Sequence, residues 1–379
     1  MAEFTTEQDA VRETIHKFAR KELAPQAAYW DRADAFPWDN LRKMAKVGLT
    51  GLRFPAAYGG SGVDATTLGI ALEEVARFDH SCAIILCGCN ITGRIFLQAC
   101  KEIKDAVVPE IVQGRYLAAF ASTESESGSE MRALRTTAKL TDGAYVLNGE
   151  KAMITFAGVA QGYLVLARTE EGGKEGISCL FVEADRPGIQ IQRLDGFGWR
   201  SLKWGNIAFD EVQVPVDHLI GEKHNALPML KSIVQEQRAL TGLIALGTAK
   251  QALELAAEYA KIRHVYGKPL GKFEGIQFRM ADDYTALEAA RLVCYRALSL
   301  SERGAEEAST WSAMANLMGG ETAYTVVNNA MDVYGGMGYS TEFPFERYLR
   351  DVKATQIANA TLKMQIAQAL LGKDYQPYA

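Results

Sequence analysis

Three glycines fall within the run Asp332-Val333-Tyr334-Gly335-Gly336-Met337-Gly338-Tyr339. Without a Cβ, such residues let backbone N–H groups come close to an anion. Gly335-Gly336 also suits the simple role of ending a helix. Arg263 stands where a long helical pattern stops, and a cation there complements the negative end of the helix dipole. Thr123, Gly128, Ser129 and Thr155 are the hydroxyl and glycine types that strand ends carry for turn chemistry. Asn359 precedes the last helical stretch and is a favoured residue for a helix N-terminus. Its amide, like that of Gln237, is not a usable base.

The elements that must position these residues follow from periodicity. Up to about Gly114, apolar residues recur at spacings of three and four over Phe4 to Leu23, Trp38 to Val47, Thr66 to Ala76 and Ala83 to Gln98. From Leu117 to Pro215 the pattern changes to short extended runs such as Ala144-Tyr145-Val146-Leu147 and Ile177-Ser178-Cys179-Leu180-Phe181-Val182, with Thr141-Asp142-Gly143 as a turn. Helical pattern then returns over about Leu227 to Ile262, Phe273 to Arg303, Glu306 to Tyr334 and Leu362 to Leu371, enough for a four-helix bundle. The expected architecture is mainly α with a β domain: helical residues 1–115, a small antiparallel, barrel-like middle domain over 116–222, and a bundle over 223–379.

Composition removes several classes of function. A chain of 379 residues with 48% hydrophobic and 23% charged residues has the make-up of an ordinary globular protein. A net charge of −5 and no dense Lys/Arg block argue against nucleic-acid binding. No run of about twenty uninterrupted apolar residues suggests a spanning helix, and the acidic start Met1-Ala2-Glu3-Phe4 lacks the pattern of a secretory signal. An intracellular, cytoplasmic protein without membrane insertion is expected. The six cysteines have no zinc-ligand spacing and read as reduced, buried and structural, and no metal is expected. His80, His218, His224 and His264 read as surface or structural, and His16 as an exposed helix residue.

Three separated stretches carry a resemblance. They are "FASTESESGSE" from Phe120 with "YVLNGEKAMITFAG" up to Gly158, "RHVYGKPLGKFEGIQFRMADD" from Arg263, and "DVYGGMGYSTEFPFERYLRDVKATQIANAT" from Asp332. Together, in this order, they resemble the acyl-CoA dehydrogenase family over essentially the whole chain. The resemblance implies an FAD enzyme acting on an acyl-CoA or acyl-carrier-protein thioester. It also implies a homo-oligomer, a tetramer built as a dimer of dimers, that passes electrons to electron-transferring flavoprotein. By the same resemblance Phe120, Ser122, Thr123, Met153 and Thr155 wall the isoalloxazine, and Gly128 and Ser129 lie at the cofactor or the CoA arm. Arg263, Tyr266, Asp332, Gly335, Gly336 and Thr361 hold the rest of FAD, with Arg263 reaching the pyrophosphate of a neighbouring subunit. Ser129 and Arg238 are the implied substrate contacts.

The departures from the family pattern concern the chemistry itself. The family's reaction removes an α-proton with a carboxylate while the β-hydride passes to the flavin, and that base lies in an Ile-Tyr-Glu-Gly-Thr segment. Here the segment reads Ile357-Ala358-Asn359-Ala360-Thr361. Some relatives place the base just before the arginine matching Arg238, and here that position is Gln237. Glu236 is the nearest carboxylate, but one residue along a helix turns a side chain by about 100°. Loss of a general base costs about 10²- to 10⁴-fold. Met153 also replaces an aromatic that often stacks on the flavin, Ser125 replaces a common proline, and Glu274 and Asp332 bring carboxylates where glutamines are common. The leading expectation is α,β-dehydrogenation with a displaced or substrate-supplied base and an atypical substrate: cyclic, branched, unsaturated or carrier-bound. Alternatives are an enoyl-thioester reductase, a flavin-dependent monooxygenase, or a flavin- or acyl-CoA-binding protein without turnover.

Overall fold

The structure, a computed structural model, describes residues 4–128, 130–169, 176–372 and 375. It begins with helices α1 (Thr6–Phe18), α2 (Ala24–Ala33), α3 (Trp38–Lys46), α4 (Ala65–Ala76), α5 (His80–Cys87) and α6 (Lys101–Val112). Their starts obey side-chain capping. Thr5 and Gln8 form a reciprocal capping box on α1, and Asp64 and Asp79 accept N–H groups at the starts of α4 and α5. The expected first helix ends sooner than its apolar spacing suggests, passing through a π-helical stretch at Ala19–Leu23 into α2, which has Pro25 in its first turn. The expected Ala83-to-Gln98 helix begins earlier and is not regular: α5 continues as a π-helical and then a 3₁₀ stretch to Gln98. His80–Gln98 is long and apolar enough to cross a membrane, yet 78% of its most apolar stretch is buried within the protein.

Strands β1 (Ala118–Ala121), β2 (Thr137–Thr141), β3 (Ala144–Thr155), β4 (Gly162–Arg168), β5 (Ile177–Glu183), β6 (Ile189–Leu194), β7 (Trp204–Pro215) and β8 (Leu219–Ile220) form one sheet. Its path runs β6-β7-β3-β2-β4-β5-β8. The sheet is mixed rather than wholly antiparallel, because β4 pairs parallel with both β1 and the first residue of β2. β4 is covered on both faces, so its run Tyr163-Leu164-Val165-Leu166 is apolar at every position.

The remaining helices are α7 (Ala226–Ile262), α8 (Glu274–Glu302), α9 (Ala308–Tyr334), α10 (Phe345–Lys353) and α11 (Asn359–Leu371). A two-strand hairpin, β9 (His264–Val265) with β10 (Lys268–Pro269), separates α7 from α8. The bundle thus contains α10 in addition to the four expected helices, an amphipathic segment that buries Phe345, Tyr348 and Val352. α7 and α9 cross at glycines. A Cβ placed on Gly319 would lie 2.6 Å from the Gly242 Cα, and one on Gly242 would lie 2.6 Å from the Ala315 carbonyl oxygen.

Buried ion pairs join the helical parts. Glu73 on α4 accepts bonds from Arg291 Nε at 2.5 Å and the Tyr295 hydroxyl at 2.6 Å on α8. Arg350 on α10 grips both carboxylate oxygens of Asp31 on α2, at 3.0 and 2.6 Å. All six cysteines are free; five are buried and Cys100 is half-buried. His16 departs from its expected exposure: it is half-buried, 2.8 Å from the Glu74 carboxylate and edge-on to Phe78.

Because the obstacle at the α7–α9 crossing is backbone, no rotamer change relieves a larger residue there. Gly319→Val should lower stability by about 1–3 kcal/mol or more, read as an earlier midpoint in thermal unfolding. Gly336→Ala, where an added Cβ meets nothing within 4 Å, is the control expected to leave that midpoint nearly unchanged.

Candidate functional site

The residues expected to wall a flavin meet on one part of the sheet. β1 delivers Phe120 and, just beyond its end, Ser122 and Thr123, all half-buried. The Ala152 N–H donates to the Thr123 carbonyl at 2.8 Å, binding this segment to β3. Between Lys151 and Ile154 the β3–β7 register slips by one residue, a bulge. Met153 sits there with φ +57° and a 59% exposed side chain. Its N–H is held by Asn206 Oδ1 on β7 at 3.1 Å. Thr155 stands opposite Trp204 in the ladder, and Gly128 lies over Thr123, which is 3.9 Å from where its Cβ would be. Ser129 lies outside the described residues.

Beneath this wall is a fully buried lysine. Lys151 Nζ donates to Glu124 Oε1 at 2.7 Å and to the Ser122 carbonyl at 3.3 Å. Glu124 also accepts the Thr136 N–H at 3.0 Å and the Thr136 hydroxyl at 2.6 Å. Burial pushes the Glu124 carboxyl up, but Lys151, Thr136 and two backbone N–H groups outweigh it and hold the group below the usual carboxylate range.

In front of the wall is a cavity of about 440 Å³, lined by Met153 and Trp204, by the segment Leu194 to Gly198, and by Arg350, Lys353, Ala354, Gln356 and Ile357. Its size and largely apolar lining are those of a cofactor pocket. The indole N–H of Trp204 has no hydrogen-bond partner among the described residues. Its planar ring on the cavity wall suits a flat heterocycle. Trp204 was missed in the sequence: its strand is legible, but only the ladder register shows which wall it joins. Behind the cavity, Asp351 accepts the Trp199 N–H at 2.8 Å. Burial pushes Asp351 up to about 7, and neighbouring Asp31 adds to this, while the Trp199 N–H, Arg347 and Arg350 pull it down.

The base positions are as amide in space as in sequence. Asn359 is the first residue of α11 and caps nothing; Ala358 holds the N-cap place, so the capping role is not filled. Its Nδ2 reaches Glu321 Oε1 on α9 at 3.4 Å, and Lys363 Nζ is 3.0 Å from the same oxygen. Asn359 Oδ1 is shielded without a partner. Gln237 is exposed and its neighbour Glu236 is buried. Glu236 is held 3.1 Å from Arg53 Nε and 2.8 Å from Arg94 Nη2, so it is an anchor of α7 rather than a free base. Arg238 is half-buried; it donates to Gln365 Oε1 at 2.6 Å and pairs with no carboxylate among the described residues. Burial pulls it below the usual arginine value.

The glycine-rich run closes one end of the bundle. Gly335 takes φ +59° at the end of α9, and neither it nor Gly336 has any atom within 4 Å of an added Cβ, leaving backbone open to solvent. Gly338 has a different role from the expected anion approach: its Cβ would meet the Met331 carbonyl oxygen at 2.3 Å, so it packs against its own helix. Tyr259 near the end of α7 stacks on Tyr334 at 4.1 Å, which brings Arg263 and the β9–β10 turn to this end. Arg263 is exposed, and Tyr266 is 95% exposed with φ +48°. Asp332 is neutralised by Arg279 at 3.2 Å, and Glu274 faces solvent. Thr361 lies in the first turn of α11, half-buried.

Three domain families match in succession: Acyl-CoA dehydrogenase, N-terminal domain, over residues 5–115; middle domain over 119–212; and C-terminal domain over 227–371. Benzylmalonyl-CoA dehydrogenase of Aromatoleum aromaticum is 37% identical over 373 residues, covering 97% of this chain and 98% of that protein. Butyryl-CoA dehydrogenase of Megasphaera elsdenii superposes with a TM-score of 0.92 at 32% identity, over 98% of this chain and 100% of that one. The FAD complex of PigA superposes with a TM-score of 0.92 at 25% identity, over 98% and 99%. The chain belongs to the acyl-CoA dehydrogenase family, FAD-carrying oxidoreductases that act on the CH–CH bond of acyl thioesters.

Two measurements probe this site. Glu124→Gln leaves the Lys151 charge buried without a counter-charge and should cost about 3–5 kcal/mol, read in denaturant unfolding. Asp351, raised in the fold, stabilises fully below the ordinary carboxylate range and loses that contribution as pH rises through about 7. The thermal midpoint should therefore fall from about pH 4 to about pH 7 and level off above that, and Asp351→Asn should flatten that fall.

Proposed function

We propose that this chain is an FAD-dependent acyl-thioester oxidoreductase whose proton acceptor is not a carboxylate at either place the family uses. The observation carrying this is the pairing of a flavin-sized, indole-lined cavity with amides at Asn359 and Gln237 and a committed Glu236. FAD supplies the two-electron acceptor for the β-hydride. In the proposed site Phe120, Ser122, Thr123, Met153 and Thr155 form its wall. Arg263, Tyr266, Asp332, Gly335, Gly336 and Thr361 serve its distal part, with Arg263 and Tyr266 reaching a neighbouring subunit of a tetramer. The exposure of both side chains in one chain, 95% for Tyr266, supports that reading. Electron-transferring flavoprotein is the proposed acceptor, and residues 1–115, 116–222 and 223–379 the proposed domains.

Arg238 favours one class of substrate. A thioester with a carboxylate on its α-carbon reaches the same α-carbanion by losing CO2: the C–C bond breaks, its electron pair stays on the α-carbon, and the double bond forms as the β-carbon gives up a hydride. No protein base is needed. A half-buried guanidinium that donates to the neutral amide of Gln365 and has no carboxylate partner among the described residues suits the carboxylate of such a substrate. The similarity to a benzylmalonyl-CoA dehydrogenase points the same way.

The test is anaerobic mixing of the yellow holoenzyme with a panel of acyl-CoAs while flavin absorbance is followed. α-Carboxyacyl-CoAs should bleach the flavin at least about tenfold faster than straight saturated ones, with release of one CO2 per flavin reduced. Equal rates would remove the α-carboxylate reading, and a colourless protein with no flavin released on denaturation would remove the flavin reading. Asn359→Glu, placed beside Glu321, should raise activity on saturated acyl-CoAs by about tenfold or more, toward the 10²- to 10⁴-fold that a general base supplies.

A further inference from the structure

The wall of the cavity lacks an aromatic at the β3 bulge, where Met153 projects instead. The neighbouring strand supplies one. In the ladder Trp204 stands directly opposite Thr155 on β3 and directly opposite Leu194 on β6. Side chains at directly opposed ladder positions share a face of the sheet. Leu194, Trp204 and Thr155 therefore form one row, and Leu194 and Trp204 line the same cavity as Met153. Asn206, two residues further along β7 and so on the same face, holds the Met153 N–H and fixes the bulge beside this row.

We infer that Trp204 is the aromatic platform of the flavin site in this protein, taking over from β7 the stacking role that Met153 cannot fill on β3. The inference rests on the FAD reading above. Two features of Trp204 agree with it: it lines the cavity, and it lies in register with the expected flavin residue Thr155. Trp199 makes the reason for choosing Trp204 clear: the two rings are 5.8 Å apart, but Trp199 does not line this cavity. Offset or edge-on contact with a flat heterocycle at 4.5–7 Å is the geometry aromatic side chains favour.

An indole next to a flavin quenches its emission by electron donation, whereas a phenyl ring or an alkyl chain does not. The experiment compares bound-flavin fluorescence and FAD retention on dilution in the wild-type holoenzyme and in Trp204→Phe, Trp204→Leu and Trp199→Phe. Trp204→Phe, which keeps an aromatic of similar shape, should raise bound-flavin emission at least about fivefold and weaken retention only slightly. Trp204→Leu should raise emission as much and weaken retention at least about tenfold. Trp199→Phe should change emission less than twofold. If Trp204→Leu does not fold, the Trp204→Phe emission decides alone. A yellow Trp204→Phe protein with unchanged emission and visible spectrum would overturn the inference while leaving the FAD reading intact. A wild-type protein without flavin would overturn the FAD reading itself.

Discussion

The buried Lys151–Glu124 pair is the contact on which the geometry of the site depends. It holds a charged amine where water cannot reach, and the cost of that burial is offset only because Glu124 gathers donors from Lys151 and from the Arg135–Thr136 backbone and hydroxyl. The same lysine grips the Ser122 carbonyl. The end of β1, the loop after it and the β3 bulge are thus tied at one point. With that point fixed, Met153 on β3 and Trp204 on β7 line one cavity, and Thr155 stands opposite Trp204 in the ladder.

Charge placement elsewhere in the molecule separates anchoring from chemistry. Glu73, Glu236 and Asp31 are all buried carboxylates, and each is clasped by arginine or tyrosine from another element. Such groups are committed to the contacts that join the elements and lack the freedom to shuttle a proton. Asp351 is the contrasting case, pushed up by burial and answering to pH near neutrality. Glu73, Glu236 and Asp31 serve as anchors, while Asn359 and Gln237 are amides and the Arg238 guanidinium donates to the amide of Gln365.

Helix existence, the switch to strands and the return to a bundle were legible because apolar spacing is repeated over many turns in α7, α8 and α9. α10 carries the same signal, Phe345, Tyr348, Leu349 and Val352 at spacings of three and four, but lies just after the glycine-rich run; the parallel pairing of β4 escaped because a fully apolar strand has no alternation to reveal its partners. The wall residues Thr123, Met153 and Thr155 were legible only through likeness to a family, since a threonine near a strand end is ordinary. Trp204 and Glu321 were not legible at all: one joins the site through ladder register, the other through the approach of α9 to the start of α11. Gly338 shows the opposite error, where a local cluster of glycines suggested a ligand and one member serves packing alone.

The glycine crossing of α7 and α9 has a bearing on how this scaffold can change. With backbone against backbone at Gly242 and Gly319, the separation of the two axes is already at its lower limit. Any pocket bounded by α7 cannot be narrowed by drawing these helices together. Nor can it be widened by parting them without opening a void at the crossing. Accommodation of longer, shorter or bulkier substrates must then be written in side-chain length along α7, one residue at a time, on a frame whose dimensions stay constant.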